Sequence, residues 1–92
     1  MISAGTRPRL AVKARLRWDR KDARWMLLYP ERGLVLNATA ADVVQLCTGE
    51  LTVEAIVERL AAQYGKESAT IEAEVLALLA SLAERGLVKE AA

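Results

Sequence analysis

Hydrophobic and polar positions change period once along this 92-residue chain, and the change falls near Asn37. Before it, apolar residues recur every second position. Leu10, Val12, Ala14 and Leu16 share one face, while Ala11, Lys13, Arg15 and Arg17 share the other, which predicts a half-exposed strand. The polar run Asp19-Arg20-Lys21-Asp22 predicts a turn. Arg24 to Tyr29 is apolar on both faces and suits a strand covered on both sides. Pro30 ends that strand, Glu31-Arg32-Gly33 completes a tight reversal, and Gly33 to Asn37 reads as a third short strand. Residues 10–37 are therefore expected to form a three-stranded antiparallel meander, and residues 1–9 a flexible arm before it.

After Asn37 the spacing becomes helical. Asn37 or Thr39 caps a short helix carrying Val43, Val44, Leu46 and Cys47, stopped by Thr48-Gly49. Thr52 caps a second, with the stripe Val53, Ile56, Val57, Leu60, Ala61 and Tyr64 and a stop at Gly65. Ser68 or Thr70 caps a third, with the stripe Ile71, Val75, Leu78, Leu79 and Leu82, and Gly86 follows Arg85 as its C-terminal stop. Strands followed by helices predict an α+β domain, a three-stranded antiparallel sheet followed by a three-helix bundle, spanning residues 10–92 as one unit. Leu76, Leu79, Ala80 and Ala83 form an extra apolar flank on the third helix. That flank either packs on the sheet or lines a groove. The strand Leu34-Val35-Leu36 lies at the end of the meander, where unpaired backbone groups can take an added strand unless a helix or another copy covers them.

Composition narrows the chemistry. The chain has no histidine and one cysteine, Cys47, so neither a Ser–His–Asp nor a Cys–His arrangement can be assembled. The same absence removes the usual zinc ligands and an internal disulfide. The acids fall mostly on polar helix faces. The reading is a binding domain without catalytic residues, metal or cofactor. The most apolar stretch, Val75–Ala83, is far shorter than the roughly 20 residues of a membrane span, and the first residues lack a signal-peptide pattern, so a cytoplasmic location is expected. Net charge is only +1, but it is segregated. Residues 1–32 hold nine basic and three acidic side chains, a net +6, and residues 33–92 hold four and nine, a net −5. The basic third either attracts an acidic partner or simply solvates the hairpin.

The run Leu27-Leu28-Tyr29-Pro30-Glu31, then Gly33-Leu34-Val35-Leu36-Asn37, Leu46-Cys47-Thr48-Gly49, Val53 with Ile56-Val57, and Leu82 with Gly86-Leu87-Val88, resembles the PqqD family of pyrroloquinoline quinone biosynthesis proteins. The resemblance extends from about Pro8 to Val88. It implies a winged-helix-like fold without catalytic activity. It further implies binding of the precursor peptide PqqA and its presentation to the radical SAM enzyme PqqE, which links a glutamate and a tyrosine of that peptide. Carried over, the peptide-binding residues would be Leu34, Val35 and Leu36 on the third strand with Val75, Leu76, Leu79 and Ala83 on the third helix. The sequence leaves open a monomer or a homodimer, the latter formed by pairing the Leu34–Leu36 edge with its copy or by a strand swap that opens at Pro30–Gly33 or Asn37–Thr39. The competing reading is a nucleic-acid-binding winged helix. Against it, the helices that would enter a groove carry Glu54, Glu58, Glu72, Glu74 and Glu84, which repel phosphate.

Overall fold

The computed structural model describes residues 2–91. Its elements run β1 (Pro8–Leu10), β2 (Arg15–Asp19), β3 (Arg24–Tyr29), β4 (Arg32–Leu36), α1 (Ala38–Gln45), α2 (Val53–Tyr64), α3 (Ser68–Glu84) and β5 (Val88–Glu90). β2, β3 and β4 form the expected antiparallel meander in that order. Three helices follow, giving an α+β, winged-helix-like fold.

The first expected strand is two. Ala14 N–H donates to the Ala11 carbonyl at 3.0 Å, and this reversal separates β1 from β2. Val12, expected on the buried face, projects from the reversal and is 93 % exposed. β1 leaves the meander and pairs instead with β5, Leu10 opposite Val88 and Pro8 opposite Glu90. Residues 6–9, part of the segment expected to be a flexible arm, are thus bonded into the domain. The Thr6 carbonyl accepts from Val53 N–H at 2.8 Å and the Ala4 carbonyl from Glu54 N–H at 3.0 Å, satisfying donors at the start of α2 that have no partner within the helix. Leu10 N–H donates to the Cys47 carbonyl and Gly49 N–H to the Pro8 carbonyl.

The helix boundaries follow local chemistry. Asn37 Oδ1 accepts from Ala40 N–H at 2.7 Å, and Thr52 Oγ1 from Ala55 N–H at 3.1 Å, as the caps of α1 and α2. Neither Ser68 nor Thr70 caps α3. Glu67 occupies the cap position without a side-chain bond, and Ser68 and Thr70 lie inside the helix. At the other end, Gly86 takes a left-handed φ of 72°. Its N–H donates to the Ala83 carbonyl and that of Leu87 to the Leu82 carbonyl, the paired bonds of a Schellman motif. Leu87 is fully buried by the same turn.

The core joins Leu27 and Leu36 of the sheet to Val43 and Val44 of α1, Ile56 and Leu60 of α2, and Ile71, Val75, Leu79 and Leu82 of α3. Leu16, Leu27 and Leu34 align across the sheet on the face turned to the helices, as do Trp18, Trp25 and Leu36. Trp18 and Trp25 meet edge-to-face with ring centroids 5.3 Å apart. Strand β3 was expected to be covered on both faces. Only the face carrying Trp25, Leu27 and Tyr29 packs against the core, whereas Met26 and Leu28 point the other way and are half-buried.

Two backbone and side-chain features yield stability predictions. The β3–β4 turn is only Pro30-Glu31, and Glu31 sits at a φ of 61°. A left-handed conformation costs an L-residue about 1–2 kcal/mol. Glu31→Gly removes that cost, partly offset by added unfolded-chain entropy, and is expected to raise unfolding stability by up to about 1 kcal/mol in urea titration. Cys47 is buried, its thiol donates to the Val43 carbonyl, and burial pushes its pKa from 9.0 to about 12. Above pH 9 the unfolded chain therefore holds fewer protons than the folded one, so this group's contribution to stability falls as pH rises. Between pH 8 and 10 the loss is about 1.4 kcal/mol. Cys47→Ala should flatten that slope in urea titrations at the two pH values. An unchanged slope would assign it to other groups.

Candidate peptide-binding edge

In the three-stranded sheet, β4 pairs with β3 on one side only, so its other edge offers backbone N–H and C=O groups to an incoming strand. Along β4, alternation separates the side chains. Leu34 and Leu36 face the helices and Val35 faces away. Leu34 is half-buried, Leu36 is 5 % exposed, and Val35 is 54 % exposed.

Helix α3 has a sealed stripe and two flanks. Val75 and Leu79, both named by the sequence reading, belong to the stripe and are fully buried. Buried to this degree, they form the floor beneath a groove rather than its exposed surface. On one flank, Glu74 and Leu78 join Asn37, Thr39, Ala40 and Val43, with Lys66 opposite, around a cleft of about 280 Å³ where β4 runs into α1. On the other, Leu76 and Ala83 line a separate groove of about 520 Å³ with Ile2, Ala80 and Val88. The structure therefore brings Leu34, Val35 and Leu36 to one edge, with Val75 lining the cleft at its end. It places Leu76 and Ala83 beside β5 instead. Helical spacing explains the split: positions 76 and 83 lie about 100° and 80° from Val75 on one side, and position 78 about 60° on the other. Leu78, assigned to the buried stripe by its spacing, is half-exposed at the cleft. Its signal in the sequence was indistinguishable from that of its buried neighbours.

The wall of the cleft is braced from behind. The Tyr64 hydroxyl and the Gln63 amide both donate to Asp42 Oδ2 on α1, the latter at 3.2 Å, tying the end of α2 to α1. The hydrogen bond to the Asp42 carboxylate, with added desolvation and charge repulsion, holds the Tyr64 phenol above its ordinary pKa. Lys66 and Glu74 bring opposite charges to the cleft, so it can hold an apolar side chain and meet a polar backbone at the rim. Among the described residues no three metal-ligating side chains come together, and no helix is long and apolar enough to cross a membrane.

Residues 24–88 match the family model of coenzyme PQQ synthesis protein D, PqqD. The chain belongs to the PqqD family. It is 40 % identical over 90 residues to the PqqA binding protein of Rhodopseudomonas palustris (strain BisB5), covering 98 % of this chain and 88 % of that protein. Among solved structures it resembles the PqqD truncation of Methylobacterium extorquens PqqCD, a stand-alone recognition element for ribosomally synthesized and post-translationally modified peptides. The TM-score is 0.85 and the identity 36 %, over 97 % of this chain and 95 % of that one. A lasso peptide synthetase B1 complexed with its leader peptide is also similar, at TM-score 0.76 and 26 % identity, over 90 % of this chain and 98 % of that one. In this PqqD-family chain, the family match includes β3, β4 and α3 and so covers both the free edge and both flanks.

Proposed function

We propose that this PqqD-family protein binds the precursor peptide PqqA as an added strand on the free edge of β4 and presents it to the radical SAM enzyme PqqE. It contributes no catalytic group of its own. The observation that carries this reading is an unpaired strand edge that ends at a half-apolar cleft against α3. An extended segment laid there gains main-chain hydrogen bonds, each worth about 0.5–1.5 kcal/mol net, and selectivity comes from alternate side chains turned toward Leu34 and Leu78. Relatives named for PqqA binding, and a similar protein solved with a leader peptide, support peptide binding by this fold. In this reading Leu34 and Val35 contact the peptide directly, Leu36, Val75 and Leu79 hold the wall, and Leu78 replaces Leu76 and Ala83 as the contact from α3.

The protein works in a cytoplasmic, reducing compartment, in keeping with a single buried thiol, as a monomer or a homodimer. A strand-swapped homodimer would occupy the same edge and compete with peptide. Nucleic acid is disfavoured by the exposed Glu54, Glu58, Glu72, Glu74 and Glu84 on α2 and α3.

The test is a calorimetric titration of PqqA into the wild type and into Leu78→Glu and Leu76→Glu, each checked by circular dichroism. Leu78→Glu should weaken one-to-one binding at least tenfold, about 1.4 kcal/mol, and Leu76→Glu should leave it within about twofold. The reverse ranking would move the groove to the β5 side of α3. A wild type that does not bind PqqA, even with PqqE present, would refute the function.

A further inference from the structure

The sheet has a second face, and nothing in the fold among the described residues covers it. It presents the rows Arg17–Met26–Val35 and Arg15–Leu28–Gly33 across the strands, with the Asp19–Arg24 pair at one end. An antiparallel sheet with one solvated face usually turns polar side chains to water. Here the centre of that face is apolar. A Cβ on Gly33 would lie 3.0 Å from Met26 Cε and 3.3 Å from Leu28 Cδ2, so both side chains lean over the glycine and close the surface between the rows. Beside them a shallow basin of about 360 Å³ is lined by Arg17, Arg20, Met26 and Leu28, together with Trp18 and Asp19.

The charge around this apolar centre is one-sided. The two acids of the hairpin turn, Asp19 and Asp22, both pair with Arg24 at 3.5 Å. Among the described residues, Arg15 and Arg17 make no ion pair. That combination selects the occupant. A nucleic-acid backbone would use the arginines but leave Met26, Leu28 and Val35 against water-facing phosphates. A second copy docked face to face would set Arg15 and Arg17 against their own counterparts. A protein surface with an apolar centre and an acidic rim satisfies both features.

Position then assigns that protein. Val35 belongs at once to this face and to the edge strand β4. A peptide added beside β4 extends the sheet by one strand, and because side chains alternate, every second peptide residue emerges on this same face. We propose that the solvent face of the sheet, centred on Met26 and Leu28 and flanked by Arg15 and Arg17, docks the peptide-modifying enzyme through an acidic, apolar-centred surface. The enzyme then meets the outward residues of the peptide while the inward ones are held against the helices. This inference rests on the peptide reading above and adds the enzyme's surface to it.

The experiment measures two affinities on the full chain: PqqA by calorimetry, and PqqE, with PqqA present, by biolayer interferometry over a range of salt. Arg15→Glu combined with Arg17→Glu should keep PqqA affinity within about twofold, lower PqqE affinity at least tenfold and flatten its salt dependence. Leu28→Gln should lower PqqE affinity several-fold with PqqA binding retained. PqqE binding unchanged in both variants would overturn the inference while leaving the peptide function intact. So would a loss of PqqE binding that merely tracks a loss of PqqA binding. It also fails if the charge-reversed variant instead abolishes a concentration-dependent increase in sedimentation mass, which would make a second copy the occupant. Loss of a duplex DNA complex that persists near physiological salt, with PqqE binding kept, would assign the face to nucleic acid. Failure of the wild type to bind PqqA is seen before any variant is compared, and it removes the peptide function together with this inference.

Discussion

Everything in this domain leans on one stripe of α3. Ile71, Val75, Leu79 and Leu82 are fully buried, and they meet the side chains of α2 along the largest helix–helix contact in the molecule. With a single cysteine the chain cannot form an internal disulfide, so a domain of this length depends on the apolar area it seals, of which the α3 stripe is a large part. Sealing the stripe also fixes the rotation of the helix. Once it faces inward, Leu78 must emerge on the β4 side and Leu76 on the β5 side. The chemistry of both grooves is a consequence of core packing.

The N-terminal segment decides which of those sides is closed. Residues 4–11 bond in turn to the start of α2, to the segment at Cys47–Gly49, and to β5. This ties the two ends of the chain together and draws β5 along one flank of α3, where Ile2 adds a partial cover. Among the described residues no strand pairs with β4 on the side away from β3. A protein that leaves such an edge open accepts an association hazard, and the short length of β4 limits it.

Charge follows the same division. The basic first third of the sequence folds into the hairpins, and the acidic remainder into the helices, so segregation along the chain becomes segregation between surfaces. The arginines of β2 stand on the sheet face opposite the helices. A peptide strand at the edge would thus lie between a carboxylate-bearing helix surface and an arginine-bearing sheet surface, which gives it distinct surroundings on its two sides.

Most of the secondary structure was legible in the sequence because it rests on local rules: short apolar runs bounded by turn residues in β3 and β4, helical spacing with Asn37 and Thr52 as caps, and Gly86 as a stop. The family was legible too, in the segments around Tyr29–Asn37 and Leu82–Val88. The missed features are long-range. Nothing local to Leu10 predicts a reversal at Ala11–Ala14, because the alternation continues through it. The three residues of β5 are too few to signal a strand until β1 meets them from 80 positions away. The site residues divide for the same reason. Leu76, Leu78 and Ala83 are equivalent as apolar positions on a helix, and only packing against partners distant in sequence assigns one flank to the open edge and the other to β5. The sequence by itself determined the helices, the meander, the absence of histidine-based chemistry and the uneven charge. Tertiary structure alone decided which edge stayed free and which flank of α3 faces it, since both depend on contacts whose partners no local pattern names.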